Sequence, residues 1–134
     1  MFTTSQQDFK VRIYYEDTDS GGIVYHSKYL NFAERGRTEF LRKRNLEQNE
    51  IRKEYEIIFV VKALKIDYLG TAHLDDIILI KTEICQLNKA KVIFEQAIIK
   101  EKIILAKIKA TVVCINKNRK ICRMNDKIYD ILKK

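Results

Sequence analysis

A chain of 134 residues, 46% apolar and 33% charged, is sized for one globular domain whose core needs neither disulfides nor a metal. Its formal charge of +8 would suit nucleic acid, an anionic membrane, a phosphorylated cofactor or an acidic carrier protein. The lysines and arginines are scattered among Glu and Asp along the whole length, so charge by itself selects none of these.

Taken in order, the N-terminus Met1-Phe2-Thr3-Thr4-Ser5-Gln6-Gln7-Asp8 has neither the basic nor the apolar section of a signal peptide. No apolar run reaches the length of a membrane span, about 18 residues or more. A cytoplasmic protein is the expectation. Phe9 to Tyr15 sets Phe9, Val11, Ile13 and Tyr15 against Lys10, Arg12 and Tyr14, the period of a half-buried strand. The strand should stop at Glu16, where turn-formers begin and Gly21-Gly22 permit a sharp bend.

From Ser27 to Arg44 the period becomes helical. Tyr29, Phe32, Ala33, Gly36 and Phe40 share one stripe, while Asn31, Glu34, Arg35, Thr38 and Arg42 lie elsewhere. Arg35 with Glu39, and Glu39 with Lys43, are spaced to pair along the exposed side. Gly36 within the stripe costs the helix about 1 kcal/mol relative to alanine, which points to close approach of a covering element, expected to be a sheet.

A short helix is expected between Leu46 and Tyr55, followed by strands over Ile57–Tyr68, Ile77–Leu87, Val92–Lys100 and Ile103–Ile115. The turns between the last of these strands are short, so consecutive strands should pair antiparallel. Asn125 should cap a closing helix to Lys134, with Ile128, Ile131 and Leu132 on one side. There is no repeat or linker, so residues 1–134 read as a single α+β domain in which an antiparallel sheet of about five strands wraps one long helix. Its open sheet edges favour dimerisation. Cys85, Cys114 and Cys122 are odd in number and lack Cys-x-x-Cys spacing, so reduced, buried thiols are expected.

Between the first strand and the long helix lies Tyr14-Tyr15-Glu16-Asp17-Thr18-Asp19-Ser20-Gly21-Gly22-Ile23-Val24-Tyr25-His26. Carboxylates, glycines and the start of a helix in one stretch can supply a base or nucleophile, a flexible backbone and free N–H donors, the set that acyl transfer needs. A calcium loop is a poor match: Gly21 takes the fifth position, Lys28 stands where the bidentate glutamate belongs, and no helix precedes the loop. A phosphoryl-transfer Asp-x-Asp site would need parallel βαβ units. No metal centre is expected, because no histidine stands where it could complete a site with the cysteines. Spacing alone leaves open that Asp17 and Asp19 merely cap the helix, and that His26 and His73 are surface or core residues.

Val11-Arg12-Ile13-Tyr14-Tyr15-Glu16-Asp17-Thr18-Asp19, Gly22-Ile23-Val24-Tyr25-His26, Tyr29-Leu30 and Glu34-Arg35-Gly36-Arg37-Thr38-Glu39 closely resemble the YbgC-like acyl-CoA thioesterases, the Tol-Pal-associated branch of the 4-hydroxybenzoyl-CoA thioesterase family. Phe59-Val60-Val61, Asp67-Tyr68-Leu69 and Ala72-His73-Leu74-Asp75-Asp76 continue the likeness in register. The resemblance implies the hotdog fold, in homodimers or homotetramers with sites at subunit interfaces. It implies hydrolysis of acyl-CoA, or of acyl groups on acyl carrier protein, with Asp19 as catalytic carboxylate and Tyr25 and His26 in the site. The amide of His26 would polarise the thioester carbonyl, and Asp17 would brace the turn. Gly22 and Val24, with Lys89 and Lys91 of a basic turn, become the candidate substrate-binding residues. Coenzyme A enters as part of the substrate, and no cofactor, metal or nucleic acid is implied. A non-catalytic acyl-CoA or acyl-carrier binding module on the same fold is the alternative. Two prolines usual in the family, around Thr71 and Arg123, are absent here, and Gly36 stands in place of the usual alanine.

Overall fold

The computed structural model describes residues 6–134; residues 1–5, which carry part of the signal-peptide expectation, lie outside the described residues. The elements follow as β1 (Gln7–Arg12), a single 3-10 turn (Tyr15–Asp17), α1 (Lys28–Lys43), α2 (Gln48–Tyr55), β2 (Ile57–Tyr68), β3 (Ile77–Leu87), β4 (Val92–Lys100), β5 (Ile103–Asn116), β6 (Ile121–Cys122) and α3 (Asp126–Lys133). The sheet runs β1-β3-β4-β5-β2, antiparallel throughout, and β6 pairs with the end of β5.

β1 ends at Arg12, earlier than the alternation through Tyr15 predicts, because the chain turns where the Tyr14 N–H donates to the Asp17 carboxylate at 2.9 Å. The Ile57, Ile77 and Val92 strands begin and end as the periodicity predicts. β6 is an addition: Asn116 closes a tight hairpin, with its side-chain oxygen accepting from the Asn118 and Lys120 amides.

α1 lies across β1, β3 and β4. Its expected stripe, Tyr29, Phe32, Ala33, Gly36 and Phe40, is buried, and Arg37 and Leu41 are buried beside it. Gly36 is the point of closest approach: a Cβ built there would stand 2.6 Å from Ile80 Cγ2 and 3.0 Å from both Thr82 Oγ1 and Gln96 Nε2. The glycine therefore lets the helix axis sit lower on the sheet than any larger residue would. The core divides along the helix into a cluster near its start (Val11, Ile13, Phe32, Ile78, Ile98) and one near its end (Phe40, Ile84, Phe94, Ile128, Leu132). On the exposed side, Glu39 pairs with Arg42 rather than with Arg35 or Lys43, while Arg35 lies 5.8 Å from the centre of the Phe32 ring.

Candidate active site

The segment between β1 and α1 folds as a small hairpin. Thr18 bridges Val24, the Asp19 N–H donates to Ile23 O at 2.9 Å, and the Gly22 N–H returns to Asp19 O at 3.1 Å. Gly22 adopts φ of +80°, open to glycine and strained for other residues. The hairpin's second limb is stitched to the segment before β3: the Val24 N–H donates to Ala72 O at 2.9 Å, and Ile23 bridges His73. Five of the predicted site residues, Asp19, Gly22, Val24, Tyr25 and His26, thus share one rigid turn at the head of α1.

The two aspartates part company here. Asp17 is 7% exposed, accepts from the Tyr14 amide, and lies 4.0 Å from Lys28 Nζ. Asp19 is exposed. Its Oδ1 accepts from the Gly21 N–H at 2.8 Å, which orients the carboxylate and leaves Oδ2 without a partner among the described residues. Both carboxylates thus bond within the turn, Asp17 as a buried acceptor and Asp19 as an exposed one.

The backbone donors also separate. The Tyr25 N–H is taken up by Asp17 O at 3.1 Å, so it is not free to donate to a bound group. The His26 N–H has no acceptor among the described residues. It sits just before the first turn of α1, where the helix dipole favours negative charge. The His26 carbonyl is held by Tyr68 Oη at 3.0 Å, and the His26 ring stacks at a tilt on Tyr25, with centroids 4.4 Å apart. Tyr68, on β2, had no signal in local spacing, and neither had Tyr29, whose Oη accepts from the Ala72 N–H at 2.9 Å. Burial pushes the Tyr29 phenol up, partly offset by that amide.

The neighbouring turn is electrostatically fixed. Asp76 Oδ2 accepts from the His73 N–H at 2.8 Å and faces Lys100 Nζ at 2.9 Å. Burial pushes the Asp76 carboxyl up, but Lys100 and the His73 amide outweigh it and hold it below the ordinary carboxylate range. Lys89 and Lys91 are not brought to the hairpin. They lie in the β3–β4 turn against α3, where Lys89 pairs with Asp126 and approaches the Tyr129 ring at 5.6 Å. Among the described residues no cluster of three or more His, Cys, Asp or Glu side chains could hold a metal ion, and no helix is long and apolar enough to cross a membrane.

A sheet curled round one long helix, with a carboxylate-bearing hairpin at the helix head, is the architecture of the hotdog thioesterases. The chain matches the Thioesterase-like superfamily over residues 13–132. It is 45% identical over 108 residues to the acyl-CoA thioesterase YbgC of Haemophilus influenzae, covering 81% of this chain and 79% of that one. It is 41% identical over 107 residues to the acyl-CoA thioester hydrolase YbgC of an Escherichia coli strain, covering 79% of each. Among solved structures, a probable thioesterase from Bartonella henselae superposes with a TM-score of 0.87 at 35% identity, over 90% of this chain and all of that one. The chain belongs to this superfamily, in its YbgC acyl-CoA thioesterase branch.

Proposed function

We propose that the protein hydrolyses acyl-CoA to free acid and coenzyme A, with Asp19 as general base or nucleophile and the His26 amide as donor to the thioester oxygen. The observation that carries this reading is the unpartnered His26 N–H at the head of α1, in the same hairpin as an exposed, oriented Asp19 carboxylate. As base, Asp19 takes a proton from water while the oxygen adds to the carbonyl. The oxyanion rests on the His26 N–H, and collapse expels the thiolate, which takes up the proton. As nucleophile, Asp19 adds to the carbonyl and the C–S bond breaks, expelling coenzyme A as the thiolate and leaving a mixed anhydride; water then opens it to the free acid and the Asp19 carboxylate, and its proton goes to the thiolate. General-base action is worth about 10² to 10⁴ in rate and one oxyanion donor about 10² to 10³.

Coenzyme A is substrate, and neither route needs a metal or cofactor. An acyl group on acyl carrier protein is the other carrier we propose, in keeping with the +8 charge. Lys89 and Lys91 are the basic residues offered to either, with Lys89 having first to leave Asp126. We read the chain as one domain acting as a homodimer or homotetramer. Among the described residues β2 pairs only with β5 and leaves its other edge open along 12 residues, with Val61, Leu64 and Tyr68 exposed, an edge that a second copy would complete. Three free cysteines suit the cytoplasm, and association with the Tol-Pal system is carried by the resemblance.

Thiol release from acyl-CoAs of graded length, for wild type, Asp19→Asn and Asp17→Asn, tests this. Turnover lost in Asp19→Asn with binding retained is expected. A wild type that binds acyl-CoA without turnover makes it a binding module. An active Asp19→Asn beside a dead Asp17→Asn reverses the roles of the two carboxylates.

A further inference from the structure

Between α1 and β2 lies a cavity of about 380 Å3. It begins at Leu30, one turn inside the helix that His26 heads, and continues past Leu41. Phe59, Leu64, Phe94 and Val112 give it apolar walls. Two charged side chains also line it, Glu34 and Arg37; Glu34 is exposed and Arg37 is the buried one.

Arg37 is 8% exposed. Of the five N–H groups of an arginine head, one donates within the protein, from Nη1 to Gln96 Oε1 at 2.9 Å. No carboxylate lies within 4.0 Å of it among the described residues. Burial lowers its pKa, and the charge of Glu34 on the preceding turn pushes back. Among the described residues no fully buried side-chain polar atom lacks a partner, so a head nitrogen without a bond reaches solvent, and the cavity that Arg37 lines offers that space. Open to the cavity, those donors are available to an acceptor oxygen of a ligand, and the burial of the rest of the head strengthens such a bond relative to water.

The head is also braced. Gln96, 4% exposed, donates from Nε2 to Ala33 O at 2.7 Å and to Thr82 Oγ1 at 2.9 Å. With its amide nitrogen so fixed, Oε1 is presented to Arg37. The absent side chain at Gly36 is what lets this cluster sit under the helix. Arg37 is thus held in place before any ligand arrives, which reduces the ordering cost of binding.

We infer that this cavity holds the acyl group and that Arg37 is a specificity residue. It selects acyl chains whose far end carries an acceptor oxygen, a hydroxyl or carboxylate, over chains ending in methyl. At 1.5 Å per residue, Arg37 lies roughly 14 Å along the axis from Lys28 at the helix start, so only chains of intermediate length deliver their ends to it. The inference rests on the acyl-CoA reading above and adds the substrate class to it.

The test compares alkanoyl-, ω-hydroxyalkanoyl- and ω-carboxyalkanoyl-CoA of matched length on wild type, Arg37→Met and Arg37→Lys. Wild type should prefer the oxygen-ended chains by about 10- to 100-fold in kcat/KM, as hydrogen bonds to a charged partner are worth. The preference should appear only beyond a threshold length, vanish in Arg37→Met and partly return in Arg37→Lys. Propionyl-CoA, too short to reach Arg37, gives the reference rate against which each variant's longer-chain rates are normalised. A purely structural Arg37 would lower every rate together and leave the ratio unchanged. Equal wild-type rates for methyl- and oxygen-ended chains at every length overturn the inference while leaving the hydrolase reading standing. If no thioester is turned over, the hydrolase reading falls and the ratio is read from dissociation constants of the matched thioether analogues, where equal values overturn it. If Arg37→Met does not fold, the wild-type series and Arg37→Lys decide alone.

Discussion

Replacing Gly36 with alanine sets two known effects against each other. In an isolated helix the change would stabilise by about 1 kcal/mol. In this fold the new methyl would stand 2.6 Å from Ile80 Cγ2, about 1 Å inside the ordinary carbon contact of roughly 3.5–4.0 Å. Ile80 is fully buried and β-branched, so it cannot swing aside. Gln96 and Thr82, each 3.0 Å away, are tied to one another and to Ala33. The helix must therefore lift, at an overpacking cost of about 1–3 kcal/mol. Net destabilisation of up to about 2 kcal/mol is expected, or a melting temperature lower by up to about 8 °C in a domain of this size. Urea unfolding measures it, and the double variant with Ile80→Ala supplies the control: once Cγ2 is gone the methyl should cost less, with a coupling of about 1 kcal/mol. A Gly36→Ala protein about 1 kcal/mol more stable than wild type would refute the close approach of α1 to β3.

Other expectations follow from single contacts. Tyr68→Phe removes the hydroxyl that holds the His26 carbonyl; at a half-exposed position it should change stability by less than about 0.5 kcal/mol yet lower kcat/KM about tenfold or more by loosening the His26 amide, and unchanged kinetics would deny that bond a role. Asp76 has a folded pKa below its ordinary value, so its contribution to stability is present above that value and lost as pH falls through the folded one. Wild type should therefore lose more stability than Asp76→Asn below about pH 4, as acid unfolding at fixed urea will show, and parallel curves would contradict it. Burial, with Cys122 opposite, pushes the Cys114 thiol up to about 12. Iodoacetamide at pH 8 should leave Cys114 unlabelled in the native protein and label it in urea, and equal labelling by mass spectrometry would contradict the packing around it.

The elements that periodicity could find are those whose register is set by the core face alone. β3 and β4 follow this rule, because β3 alternates a buried side chain with one facing out and β4 packs apolar residues on both faces, whereas β2 is mostly exposed and is legible from its β-rich composition instead. The alternation of β1 runs on through Tyr14 and Tyr15, but a side-chain acceptor three residues ahead captures the Tyr14 amide and turns the chain. Hydrogen-bond competition of that kind carries no hydropathy signal. β6 is two residues long and exists because Asn116 closes its hairpin. At the site, Asp19 and the glycines stood out because carboxylates and positive-φ positions cluster rarely. Their separation into one buried brace and one exposed carboxylate depended on which limb of the hairpin faced Lys28. Tyr68 and Gln96 could not be found by spacing, since they act on residues 42 and 63 positions away. Arg37 could have been: it falls four residues after Ala33 and three before Phe40, on the buried stripe, where a charged residue asks for an explanation.

One property of the His26 donor bears on how this protein would tolerate change. The N–H belongs to the main chain, so replacing the imidazole leaves it untouched, and an alanine scan would pass over the position whatever it contributes. Only proline, which has no hydrogen to offer, or an ester in place of the amide would delete it. Residue 26 is thus free to vary in nineteen of its twenty identities so far as the donor is concerned. Constraint lands instead on the bonds that hold this peptide and its two neighbours: the Lys28 N–H on the Tyr25 carbonyl, the Asp17 carbonyl on the Tyr25 N–H and the Tyr68 hydroxyl on the His26 carbonyl.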